Sequence, residues 1–379
     1  MAICGGPPGA AARVTAVRRW PWPFLLLLVG ALLASSNRFP QFTVSPSLIL
    51  LGFLPALLFD AGFSLRAAAI RRELRWILLL GVAGALLGAA ISYGILRWLG
   101  FSASEALLLS AVLAATDPVS IFAAMRRLRV PERMRVTLEG ESLANDGVAA
   151  VLFAVALTAI GGRGSSPSGA VWQFLLLTVG GLLAGGLVGL VLARLLPDRV
   201  PVLAPATVVA AYGTYLLADR LGVSGLLAVV MLAVVLGNRP HSASHHLTHR
   251  FWRVVGFSVS SLVFTLVGLQ VHLDRLTASA VDVLGVVLTF LVARIAMVAI
   301  ITFRNWPLRM QAALVWAGLR GALSLALALS IPAGMADRER ILVLVSGFVF
   351  ASLAIQGLLI GPVFRGLHVG EGPENPASS

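Results

Sequence analysis

The sequence predicts an all-α polytopic membrane protein of about twelve transmembrane helices, built as inverted repeats with two interrupted spans. Three observations predict it. The chain of 379 residues is 58% hydrophobic and only 12% charged. Apolar stretches long enough to cross a bilayer recur along its whole length. Two of them carry backbone breakers in mid-span, Thr116-Asp117-Pro118 and Gly318-Leu319-Arg320-Gly321.

The spans in order are 22–36, 46–63, 76–97, 103–125, 137–160, 171–193, 202–219, 222–237, 252–270, 279–303, 310–331 and 341–364. The connections are short, so there is no room for a soluble domain. Residues 1–20 form a tail, 21–365 a membrane domain and 366–379 a second short tail, both tails rich in Gly, Pro, Ala and Ser. Within the domain, 21–160 reads as a first repeat, 171–193 as a linker helix and 202–365 as a second repeat. Each interrupted span is next to last in its half. Interrupted spans in corresponding places mark an inverted-repeat transporter, with the site at the breaks. The first half then holds five spans against six, one helix short at its N-terminal end.

The net charge of +13 comes from 29 basic residues, all of them Arg. If the loops alternate sides, 20 arginines fall on one side and 7 on the other, with Arg294 and Arg320 inside spans. This is the positive-inside pattern, and it puts both termini in the cytoplasm. The charge therefore reports topology, not a nucleic-acid surface. Cys4 is the only cysteine, which excludes an intrachain disulfide. Arg13, Arg18 and Arg19 before an apolar run resemble a signal peptide, but no cleavage site is convincing, so the segment reads as the first span.

Ionisable residues inside spans are costly and mark sites. In span 137–160, Glu141 and Asn145 are four apart, as are Ser142 and Asp146, so all four share one helix face. Their oxygens suit a hard cation such as Na⁺, or a proton. Acids near a helix start also offset the macrodipole, which accounts for Glu139 and partly for Glu141, but not for Asp146. Pro118 alone reads as a kink; beside Asp117 it favours a broken helix. Asp60 is open between an interfacial acid paired with Arg66 and a cation ligand. Arg294 needs an acid, and Asp60, Asp117, Glu141 and Asp146 compete for it. Arg320 needs the same, or it caps carbonyls freed by the break. His245 and His249 are also four apart, with His241 and His246 nearby. No Cys or carboxylate supports zinc there, so 238–253 reads as a solvated loop, with pH sensing as the alternative. Gly181, Gly185 and Gly189 permit close helix packing. No nucleophile–base pair, phosphate-cradling loop or metal motif is present, so neither an enzyme nor a cofactor is expected.

Several segments, in order, match a known family. They are Leu54–Ser64, Ala114–Ser120 (A-A-T-D-P-V-S), Val130–Phe153 (with E-S-L-A-N-D), Gly222–Asn238, Ala293-Arg294 and Gly318–Pro332 (G-L-R-G-A-L-S-L-A-L-A-L-S-I-P). By these the chain resembles the monovalent cation/proton antiporters of the NhaP/NHE type, the sodium/hydrogen exchangers. The resemblance implies an NhaA-like antiporter fold. It implies that Asp146 binds cation and proton in turn and that Asn145 is its partner in the pair that marks the electroneutral branch. Thr116 and Asp117 would line the unwound crossing, and Ser142 would complete the cation shell. Glu141 would pair with Arg294, and Asp60 would match an acid of the family's third helix. The substrates would be H⁺ and Na⁺, or K⁺ or Li⁺, across a bacterial inner membrane, with no cofactor. The family pattern has thirteen helices and a long regulatory tail; this chain lacks the first helix and the tail. Family dimer contacts often use that helix, so a homodimer is left open. The rival readings are a cation channel and an inactive paralogue.

Overall fold

The computed structural model describes residues 22–35, 48–116, 130–161, 166–196, 200–239, 243–270, 279–335 and 337–369, and these are helical with short connections. Five helical stretches are long and apolar enough to cross a membrane by themselves: Ala67–Trp98, Glu132–Ile160, Ser168–Leu195, Ala280–Thr302 and Arg338–Gly366. Within the described residues the predicted spans fall on helices, several of them with longer ends. Span 76–97 begins at Ala67, and span 137–160 begins at Glu132, directly after Pro131. Pro131 is suited to a helix start because its missing N–H has no partner to lose there.

The helices form two bundles that do not follow the two halves of the sequence. The first holds α1 (Trp22–Ser35), α2 (Leu54–Phe63), α7 (Pro167–Leu195), α8 (Val200–Arg220), α9 (Gly225–Gly237) and α10 (Ala243–Gln270). A π-helical turn, Leu48–Phe53, leads into α2. Tyr212 of α8 donates to the Gly52 carbonyl of that turn at 2.6 Å, satisfying a backbone group the wider turn exposes. Trp252 of α10 packs its ring tilted against Phe59, centroids 4.3 Å apart, and donates its indole N–H to Thr207 at 2.9 Å. α1 and α10 touch through Gly30 and Gly268, where a Cβ on either would strike the other backbone.

The second bundle holds α3 (Ala67–Leu78), α4 (Gly84–Trp98), α5 (Ala103–Val112), α6 (Glu132–Ile160), α11 (Ala280–Thr302), α12 (Leu308–Trp316), α13 (Ala322–Leu329), α14 (Arg338–Ser352) and α15 (Leu358–Gly366). π-helical turns join α3 to α4 and α14 to α15. α5 opens on a capping box: Ser102 Oγ accepts from Glu105 N at 3.1 Å, and Glu105 Oε2 accepts from Ser102 N at 2.9 Å. Glu105 also meets Arg340, which reaches Asp282 as well, so one arginine ties the ends of α5, α11 and α14 together.

α5 stops at Val112, and Leu113–Thr116 is not helical. The other half of span 103–125, with Asp117 and Pro118, lies outside the described residues. The second interrupted span divides cleanly. α12 ends at Trp316, Ala317–Gly321 turns without helical structure, and α13 begins at Ala322. Predicted loop 238–253 is corrected. α10 begins at Ala243, so His245, His246 and His249 are helical; His241 lies outside the described residues.

Candidate functional site

Two consecutive turns of α6 carry the polar face. Glu141, Ser142, Asn145 and Asp146 are all buried, and the helix that follows them, from Gly147 to Ile160, is small and apolar apart from Thr158. Thr116 comes to this face from the end of α5. Its N–H donates to Asn145 Oδ1 at 3.3 Å, and its Oγ1 accepts from Asn145 Nδ2 at 2.8 Å. The Thr116 hydroxyl then donates to Ser142 Oγ at 2.9 Å. A helix that stops inside a protein leaves backbone groups without partners. The Asn145 amide supplies both a donor and an acceptor to that loose end.

Asp146, 5% exposed, is on the other side of this cluster and walls a cavity of about 730 Å³. Thr116, Leu143 and Leu323 line it from the second bundle, and Asp60, His245 and His249 from the first, so it follows the seam between the bundles. Its mouth reaches Arg66, Arg135 and Arg253, at the arginine-rich end. Asp60 packs its carboxylate on Gly256, where any Cβ would collide with it. His245 is buried and stacks on Phe63 at 5.0 Å, and His249 Nε2 is 3.2 Å from Ser64 Oγ. The histidines therefore belong to the cavity wall. A signal for this was in the sequence: Ser244, Thr248 and Trp252 recur at helical spacing and lead straight into the apolar run.

Glu141 points away from the cavity and forms a buried ion pair with Arg294 of α11. Arg294 also donates from Nη2 to the Leu314 carbonyl at 2.9 Å, in the last turn of α12. Gly318 leaves room for it, since a Cβ there would be 2.9 Å from Arg294 Nε. Arg320 does the same at the other break. Its Nη1 donates to the Ala114 and Ala115 carbonyls, both at 3.0 Å, and its N–H to Ser352 Oγ at 3.2 Å. Arg338 donates to the Ile331 carbonyl at 2.9 Å, just past α13. Each interrupted helix thus ends on an arginine, which offsets the partial negative charge of a helix C-terminus.

Sequence reasoning missed Asn238. Its Oδ1 accepts from Ala67 N at 2.6 Å, and its Nδ2 donates to the Leu65 carbonyl at 2.8 Å. That turn, between α2 and α3, is where the chain passes from one bundle to the other. Nothing in the local sequence around Asn238 points to a partner so far away.

The site therefore has one buried carboxylate on a seam cavity, backed by hydroxyl and amide groups and by arginine-capped helix ends. The family model described as "Sodium/hydrogen exchanger, transmembrane" matches residues 9–366. The Na⁺/H⁺ antiporter ApNhaP of Aphanothece halophytica is 35% identical over 366 residues, which is 92% of this chain and 70% of that protein. The low-affinity Na⁺/H⁺ antiporter NhaS1 of Synechocystis is 34% identical, covering 95% of this chain and 72% of that one. Among solved structures, the sodium proton antiporter MjNhaP1 of Methanocaldococcus jannaschii at pH 8 superposes with a TM-score of 0.83 over 95% of both chains. At 20% identity that match speaks for the fold alone.

Proposed function

The chain belongs to the sodium/hydrogen exchanger family, and we propose that it is a Na⁺/H⁺ antiporter whose exchange centre is Asp146. It is a secondary transporter and not an enzyme. The observation that carries the assignment of the site is Asp146 itself, a buried carboxylate in a membrane-spanning helix that opens on the cavity between two bundles. Such a carboxylate is costly until something neutralises it. A proton does so, and so does a sodium ion, but not both at once. Competition for one carboxylate is exchange.

Thr116 and Ser142 are the neighbouring oxygen ligands, and Asn145 holds the unwound end of α5 in place. Hard oxygen donors suit Na⁺, and also Li⁺ or K⁺. Asp60, on the same cavity, favours entry of cations. Rocking of one bundle on the other would then close the seam on this side and open it on the opposite one, as expected of inverted repeats that cross at their breaks. The arginine asymmetry favours an inner-membrane orientation with both termini in the cytoplasm.

The test uses everted vesicles containing a pH-sensitive dye, with Na⁺, K⁺ and Li⁺ added in turn. Asp146→Asn should abolish cation-driven proton movement while the protein keeps its wild-type melting behaviour. Wild-type exchange rates in that variant would rule Asp146 out as the centre.

A further inference from the structure

Behind Asn145, on the far side from the seam, the second bundle encloses a small cavity of about 20 Å³. Its polar wall residues are Ser92, Asn145, Arg294 and Arg320; Phe290 and Met297 are among the apolar ones. Three of the four polar residues carry a buried atom that makes no hydrogen bond among the described residues: Ser92 Oγ, Arg294 Nε and Arg320 Nε. Buried polar groups are rarely left in that state, and a cationic N–H is the most expensive to strand. The three residues come from α4, α11 and the second break, and they converge on one cavity. One water needs roughly 10–15 Å³ of such space and two to four polar partners. This cavity has room for one, and three of its wall residues carry an unpartnered atom.

We propose that it is a water site built into the helix crossing. One ordered water accepts from the Nε–H of Arg294 and of Arg320 and hydrogen-bonds to Ser92 Oγ. Two cationic donors facing one point repel a metal ion, so this is not a second cation site, and the transported ion keeps to the Asp146 side. The water links α4 to the two arginines that close α12 and α5. It would fix the spacing of the helices behind the exchange centre.

Radiolytic hydroxyl-radical footprinting of the full chain in nanodiscs tests the proposal, because side chains beside a bound water are oxidised even when buried. Met297 lines the cavity. Met134 is buried in the same apolar cluster but does not line the cavity. In the wild type Met297 should be oxidised several-fold faster than Met134. Ser92→Ala should keep that difference, since both arginines remain, and Ser92→Leu should remove it by filling the space. Equal protection of the two methionines in the wild type means a dry cavity and overturns the proposal, whether or not Ser92→Leu folds. So does a Met297 signal that survives in folded Ser92→Leu. Replacing chloride by gluconate should change neither labelling nor melting temperature; a loss of both would assign the site to a halide instead of water.

Discussion

Glu141 and Asp146 lie five residues apart on one helix and have opposite surroundings. Asp146 walls the seam cavity, whereas Glu141 is turned into the second bundle against Arg294. A buried pair of this kind contributes little over an apolar substitute, but removing one partner strands the other, at about 3–5 kcal/mol. Glu141→Ala and Arg294→Ala should each lower the melting temperature in detergent, and the double variant should lose less than the two losses added together. Strict additivity in that double-mutant cycle would mean that the two are not partners. The residues alone marked both as buried charges but did not pair them. Four acids competed for Arg294, and the partner is 153 residues away. Only the family resemblance favoured Glu141. Asp146 was legible for a simpler reason: the i,i+4 spacing puts it on a polar face, and a long apolar run follows it.

Breaks in helices were legible because Pro and Gly act on the local backbone. What closes each break was not, because the closing arginine comes from another part of the chain or from across the crossing. Arg320 illustrates this: its open alternatives were an acid and freed carbonyls, and it bonds to Ala114 and Ala115. The histidine segment was misread for the opposite reason, since its polar residues hid a buried helical face. Small residues carried a readable message in α7. Gly181 and Gly185 press on the backbone of α9, and Gly189 on Val235; a Cβ at Gly185 would come within 2.7 Å of Ala228 Cα. Gly185→Leu should force the two helices apart and cost about 1–3 kcal/mol, read as a lower melting temperature. Gly213, in the interior of α8, meets nothing within 4 Å of a built Cβ. Gly213→Ala should be neutral in the same assay, and a similar loss at both positions would reject close packing as the cause.

Two bundles that meet along a cavity would let the proposed exchange centre change sides without unpacking either core. Asn238 matters here because it pins the turn where the chain crosses between them. In the proposed cycle the moving bundle would carry the same charge on each leg. Glu141 cancels Arg294 and Arg320 is held at the crossing, and in the proposed cycle Asp146 would travel neutralised by a cation one way and by a proton the other. On that proposal the charge is equal in both directions, so one cation would leave for each proton that enters and no net charge would cross. Transport by reconstituted protein should therefore neither generate a potential nor change rate when one is imposed by a potassium gradient and an ionophore. A current that scales with the imposed voltage would show a second titrating acid in the cycle. Asp60 would then be the first group to replace, because it lines the same cavity as Asp146. Asp60→Asn should restore voltage independence if that acid carries the extra proton, and should leave the current intact if Asp117 does.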